Sequence, residues 1–221
     1  MSPAIGPQTG IVELAAIVSQ ALEAAGVRAT LSGGGAVSVH TENAYESADL
    51  DFVTSAGRAE LEPVLEPLGF RLGEDRRHFV HSQTPLFLEF PASPLEFGSL
   101  QVAHEDVPPI ETPWGPLRVT TPTLCVMDRL AAFWHWNDRQ SLDQAVMIAT
   151  HREVDFATLE EFARSEGADS DALDRLRAVA LRSGTLGLGS AIQSRVAALG
   201  GVELELPERE PGREPPSFDD T

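Results

Sequence analysis

The sequence feature that most constrains the fold is the stretch DLDF at residues 49–52. In an extended strand, residues two apart project from the same face, so the carboxylates of Asp49 and Asp51 lie together. Leu50 and Phe52 then point into an apolar core. Two carboxylates this close repel each other, and such pairs persist mainly where cations occupy the gap. The stretch therefore predicts a half-buried strand whose polar face binds a metal ion, with Mg²⁺ suited to oxygen ligands.

Three consecutive glycines, Gly33, Gly34 and Gly35, precede this strand and follow a shorter predicted one. A helix is predicted to begin near Ala36. Glycine lets the backbone approach an anion closely, and a helix N-terminus presents free N–H groups and the positive end of its dipole. The pattern predicts a phosphate-binding turn, with Ser38 as a further nucleotide-binding candidate. The plain alternatives are a loop for the glycines and a solvated strand end for the two aspartates.

A third acid, Glu89, lies in the strongly apolar run at residues 86–91. A carboxylate in so apolar a strand needs a partner, because its burial alone is costly. If this strand lies beside the one that carries Asp49 and Asp51, three carboxylates meet and can hold two Mg²⁺ ions. Glu89 can then also accept a proton from an attacking hydroxyl. An ion pair between Glu89 and an arginine is the alternative.

Together these features indicate phosphoryl or nucleotidyl transfer from a nucleoside triphosphate, NTP. All basic residues of the chain are arginines, which excludes a lysine nucleophile or Schiff base. The formal net charge of −18 argues against broad, sequence-independent binding to nucleic acid, which needs a basic surface.

The predicted fold class is α/β (α+β), in the sense of a small mixed sheet followed by a helical bundle. Residues 1–121 are predicted to form the α/β domain and residues 122–200 a helical domain, because convincing strand patterns stop before the latter. Residues 201–221 are acidic and proline-rich, and we expect them to be disordered. The lone Cys125, the absence of a secretory signal and the absence of a long apolar stretch favour a cytoplasmic protein without a membrane segment.

The segments SGGG, DLDF and LFLEF, in this order, resemble the nucleotidyltransferase fold of the DNA polymerase β superfamily. The resemblance covers the motifs between residues 27 and 91. It implies that Asp49 and Asp51 ligate Mg²⁺, that Glu89 is the third carboxylate, and that Gly34 and Gly35 contact the triphosphate.

A second resemblance lies in the predicted helical half, at residues 128–145. This stretch is similar to the helical motif of small bacterial AbiEii-like nucleotidyltransferases, with Arg129, Ala132 and Asp138 as the matching positions. The resemblance implies that Arg129 and Asp138 contribute to nucleotide binding, although the AbiEii-like proteins have a lysine where this chain has arginine. Capping of the following helix is an equally good interpretation of Asp138.

The predicted function is Mg²⁺-dependent transfer of a nucleoside monophosphate from an NTP to a hydroxyl acceptor. RNA, a protein and a small molecule all remain open as acceptors. The AbiEii-like resemblance implies tRNA ends and a place in a toxin–antitoxin or phage-defence module. The alternative is a non-catalytic member of the fold that binds nucleotide or a partner protein. Nucleobase preference and oligomeric state are not predicted.

Overall fold

The computed structural model describes residues 5–185, and within them it contains seven α-helices and nine β-strands. The predictions for residues 186–200 and for the acidic tail at 201–221 lie outside the described residues. No helix in the described part is long and apolar enough to cross a membrane.

Helices and strands alternate in the first part, short hairpins follow, and only helices continue from Pro122 to the end of the described range. The elements in chain order are α1 (Ile11–Ala24), β1 (Ala29–Ser32), α2 (Gly33–His40), β2 (Asp49–Thr54), α3 (Arg58–Leu65), β3 (Phe70–Leu72), β4 (Phe79–His81), β5 (Thr84–Glu89), β6 (Leu95–Phe97), β7 (Leu100–Val102), β8 (Ile110–Thr112), β9 (Gly115–Leu117), α4 (Pro122–Trp136), α5 (Arg139–His151), α6 (Phe156–Ser165) and α7 (Asp171–Ser183).

Five strands form the central mixed sheet of the described chain, in the order β1-β2-β5-β4-β3. The strands β2 and β5 run parallel, whereas the other neighbours are antiparallel. The register of the parallel pair places Asp51 opposite Glu89. The mixed sheet and the helical region after it confirm the predicted fold class.

A single cluster of buried apolar residues extends from α1 in the first half to α7 in the second. Leu50 and Phe52 of β2 and Leu88 of β5 are fully buried within it, as the alternation along these strands predicts. Helix α2 packs on β1 and β2 on one side and on α4 on the other. Through α2, the helical half thus lies next to β2, the strand that carries Asp49 and Asp51.

Two details differ from the sequence predictions. The glycines form the first turn of α2, which begins at Gly33 and not near Ala36. Gly33 has a φ of +61°, so the chain turns from β1 into the helix without an intervening loop. The hairpin formed by β6 and β7 was not predicted from the sequence.

Candidate metal and nucleotide site

The three predicted acids meet where β2 begins and the parallel strand β5 ends. One carboxylate oxygen from each of Asp49, Asp51 and Glu89 lies within 4.8 Å of the other two, and all three side chains are half-buried. The parallel register produces this arrangement, because it aligns Asp51 with Glu89 and leaves Asp49 on the same face two residues earlier. The cluster has the oxygen ligands and the spacing that a hard divalent cation requires.

The three carboxylates repel one another, and this repulsion is visible in the pKa of Asp51. Burial, and next the negative charges of Asp49 and Glu89, raise the pKa of Asp51 to about 7. The guanidinium of Arg129 acts in the opposite direction, while the carboxylate of Asp128 adds to the rise in the pKa of Asp51. A bound cation would offset this repulsion, so the donor set and its electrostatics both fit Mg²⁺.

Each of the three glycines lies so close to a neighbouring side chain that an added Cβ atom would collide with it. A Cβ atom at Gly33 would overlap the carboxylate of Asp51, and one at Gly34 would lie 2.6 Å from the hydroxyl oxygen of Ser47. A Cβ atom at Gly35 would lie 3.0 Å from a methyl carbon of Leu50. The glycines therefore bring the first turn of α2 directly against the acidic cluster, which places its free N–H groups beside the three carboxylates.

Ser38 lies behind the turn and is fully buried. Its hydroxyl donates to the carbonyl oxygen of Gly34 at 3.2 Å and accepts from the backbone N–H of Ser47 at 3.0 Å. The hydroxyl of Ser47 in turn donates to Asp49. Ser38 thus connects the glycine turn to the loop that orients the first aspartate, and its own hydroxyl is occupied by these protein contacts.

Arg129 projects from α4 towards the acidic cluster and is largely buried. Its Nη2 atom donates to Asp128 at 2.7 Å and its Nη1 atom donates to Gln144 at 3.2 Å. The buried Nε atom has no hydrogen-bond partner among residues 5–185. Asp128 also accepts a 3.4 Å hydrogen bond from the hydroxyl of Ser32, the residue directly before the glycine turn. The helical half therefore contributes both a cation and a fourth carboxylate to the surroundings of the site.

Asp138 lies at the start of α5 and caps it. Its carboxylate accepts from the backbone N–H groups of Gln140 and Ser141 and from the Ser141 hydroxyl, and these bonds lower its pKa. The positive charge of Arg129 also lowers the pKa of Asp138. The capping interpretation of Asp138 accounts for its hydrogen bonds in the described structure.

Glu89 has an arginine and a histidine as neighbours on the turn between β3 and β4. Nη2 of Arg77 lies 3.4 Å from one carboxylate oxygen of Glu89, and Nε2 of His78 lies 3.4 Å from the other. The His78 ring also pairs with Asp75, which is the largest of the effects that raise its pKa. The predicted arginine partner of Glu89 is therefore present, but its side chain is 74% exposed.

Sequence reasoning did not identify Asp75, His78 or Asp128 as site residues. Each comes close to the acids only through the register of β4 on β5 or the packing of α4 on α2. The available signal was the run of basic residues at 76–78 directly before β4, which predicts a charged turn.

The comparisons with known proteins support the fold. The chain matches no protein family and no curated protein sequence. A nucleotidyltransferase-like protein from Paracoccidioides brasiliensis is 10% identical, with a TM-score of 0.50 over 78% of this chain and 94% of that one. The antibiotic-resistance factor ANT(2'')-Ia is 14% identical, with a TM-score of 0.43 over 86% of this chain and 94% of that one. The structure of ANT(2'')-Ia in complex with adenylyl-2''-tobramycin is 16% identical in sequence, with a TM-score of 0.45 over 68% of this chain and 92% of that one. The match at a TM-score of 0.50 shows a nucleotidyltransferase-like fold, and in this chain a three-acid cluster lies where two of the strands run parallel.

Proposed function

We propose that the protein transfers a nucleoside monophosphate from an NTP to an acceptor hydroxyl in a Mg²⁺-dependent reaction. The observation that carries this proposal is the convergence of Asp49, Asp51 and Glu89, whose oxygens lie within 4.8 Å of one another. The raised pKa of Asp51 supports it, because the cluster holds more negative charge than its surroundings offset. The nucleotidyltransferase-like fold supports the same reaction class.

In the proposed reaction, the acceptor oxygen attacks the α-phosphorus of the NTP. The bond from this phosphorus to the bridging oxygen of the β-phosphate breaks, and pyrophosphate leaves. Glu89 accepts the proton of the acceptor hydroxyl and later releases it to solvent. Asp49, Asp51 and Glu89 would hold Mg²⁺, proposed as two ions, which would neutralise phosphate charge when bound.

The nucleotide-binding roles belong to the first turn of α2 and to α4. We assign the N–H groups of Gly33, Gly34 and Gly35 to the phosphates, since this turn lies against the acidic cluster. Arg129 supplies a positive charge for the same phosphates. We assign positioning roles to Ser38, which holds the turn, and to Asp138, which caps the helix that carries the Gln144 partner of Arg129.

The acceptor is open among three classes. The AbiEii-like resemblance of residues 128–145 supports a tRNA end and a role in a toxin–antitoxin or phage-defence module. The net charge of −18 supports a protein or a small molecule instead.

The test is transfer of label from each α-labelled NTP in turn, with Mg²⁺, to total RNA, to a protein lysate or to a deproteinised extract. Asp51→Asn replaces one of the three carboxylates proposed to bind Mg²⁺. Glu96→Gln serves as the matched control, because Glu96 is an exposed strand residue that accepts a hydrogen bond from Gln101. We expect label in one fraction with the wild type and with Glu96→Gln, and none with Asp51→Asn. Label that appears equally with Asp51→Asn, or in no fraction at all, would contradict transfer at this site. Nucleotide binding without transfer would favour the non-catalytic alternative.

A further inference from the structure

The turn between β3 and β4 is built around the carboxylate of Asp75. Backbone hydrogen bonds close it, from Gly73 N–H to the His78 carbonyl at 2.8 Å and from Arg76 N–H to the Gly73 carbonyl at 3.0 Å. One oxygen of Asp75 accepts the backbone N–H groups of Arg77 at 2.9 Å and His78 at 3.2 Å. These bonds leave the other oxygen of Asp75 to face the imidazole of His78.

The His78 ring is held on three sides. Its Nδ1 atom pairs with Asp75, and its ring packs edge-on against Phe87 with centroids 4.9 Å apart. Its Nε2 atom lies 3.4 Å from Oε2 of Glu89. Both side chains of this last pair are about a quarter exposed, at 28% for His78 and 27% for Glu89. Asp75 and Phe87 therefore fix the ring independently of Glu89.

The sheet register sets the separation of His78 from Glu89. The antiparallel pairing of β4 with β5 places Phe79 opposite Leu88, so the residue before Phe79 lies beside the residue after Leu88. Arg77 reaches the same carboxylate from a side chain that is 74% exposed, and an exposed ion pair contributes little to orientation. His78 is accordingly the better-fixed neighbour of Glu89.

We propose that Asp75 and His78 are positioning residues, which hold the Glu89 carboxylate in the orientation that brings it to Asp49 and Asp51. This inference rests on the proposed function and extends it beyond the three acids. Asp75 fixes the ring, and the ring fixes Glu89. Partners of this kind, one contact removed from a metal, typically alter metal affinity or activity by about 10–100-fold.

The test compares His78→Gln with His78→Leu in binding of Mn²⁺, measured by electron paramagnetic resonance. Both variants remove the ring, but only glutamine keeps a side-chain N–H donor for Glu89. We expect the dissociation constant for Mn²⁺ to be about tenfold higher in His78→Leu than in His78→Gln. Thermal unfolding in EDTA establishes that both are folded, and His78→Phe, which keeps an aromatic ring against Phe87, replaces His78→Leu if the latter is not.

A double-mutant comparison tests the role of Asp75. Asp75→Asn should weaken Mn²⁺ binding when His78 is present and leave it unchanged in the His78→Leu background, because Asp75 acts through the ring. An equal effect in both backgrounds would contradict this order of action.

Asp49→Asn separates the failure of this inference from the failure of the proposed function. Equal Mn²⁺ dissociation constants for His78→Gln and His78→Leu, with binding lost in Asp49→Asn, would overturn the positioning role alone. Mn²⁺ binding that is absent from the wild type, or that survives in Asp49→Asn, would overturn both.

Discussion

Asp51 shows most directly what folding does to the charges of the site. It is half-buried, it lies opposite Glu89 on the neighbouring strand, and its pKa rises to about 7. Desolvation is the largest cause and the two neighbouring acids follow. A group held in this way destabilises the metal-free fold whenever it is ionised.

Replacement of Asp51 by asparagine should therefore stabilise the metal-free protein in a pH-dependent way. The ordinary pKa of 3.8 applies to the unfolded chain and the value of about 7 to the folded one. Below about pH 4, Asp51 is protonated in both the folded and the unfolded chain, so its favourable contribution to the free energy of unfolding is fully present. As the pH rises, Asp51 ionises in the unfolded chain first, and this contribution is lost by the time the pH passes 7. We expect the advantage of Asp51→Asn to grow between about pH 4 and 7, to at most about 4 kcal/mol. Urea unfolding in EDTA measures it, and an advantage that stays constant over this range would contradict the account.

The three acids could be predicted from the sequence because their signal is local. Asp49 and Asp51 alternate with apolar residues, and Glu89 stands alone among them. Their neighbours Asp128 and His78 could not be predicted in the same way. Their distance from the acids depends on helix packing and on strand register, which no short stretch of sequence encodes.

At the scale of elements, the junction of β1 and α2 determines how closely a phosphate could approach the acids. The strand ends at Ser32 and the helix begins at the next residue, which a left-handed Gly33 permits. The sequence pattern predicted both elements, but it placed the start of the helix near Ala36 and the glycines in a turn before it. It could not predict that the glycines also make room for Asp51 and Ser47, because that requirement comes from the strand beside them.

Gly33→Ala should disrupt the site more than it disrupts the fold. The matched control is Gly167→Ala, since Gly167 has a similar φ of +65° but no atom within 4 Å of an added Cβ atom. Both variants should lose about 1–2 kcal/mol of stability from the left-handed backbone. Only Gly33→Ala should also lose Mn²⁺ binding, because its methyl group overlaps the Asp51 carboxylate. Equal Mn²⁺ affinity in the two variants, measured by titration, would show that the turn tolerates a side chain.

At the scale of the whole molecule, the two halves share one core, and both contribute residues to the candidate site. The buried cluster runs from α1 to α7, and α4 brings Arg129 and Asp128 close enough to the acidic cluster to affect the pKa of Asp51. The change from strands to helices near Pro122 is visible in the sequence. The candidate site between the two halves is not visible in the sequence, because apolar periodicity identifies the buried face of a helix but not the element that this face packs against.

Arg129→Gln should weaken nucleotide binding, because it removes a buried positive charge beside the turn assigned to the phosphates. Arg175→Gln is the control, since Arg175 lies in the same bundle but pairs with Asp143 at the surface. We expect at least a tenfold rise in the NTP dissociation constant for Arg129→Gln and none for Arg175→Gln. Arg129→Gln should also lower stability, since Asp128 loses its partner. Unchanged nucleotide affinity would remove Arg129 from the proposed site.

The measurement that tests the central claim most directly is calorimetric titration with non-hydrolysable analogues of the four NTPs, in Mg²⁺ and in EDTA. The account predicts that the wild type binds at least one analogue in Mg²⁺, and that EDTA or the Asp51→Asn substitution abolishes this binding. Binding that persists in EDTA and in Asp51→Asn, or no binding of any analogue, would contradict a metal-dependent nucleotide site at Asp49, Asp51 and Glu89.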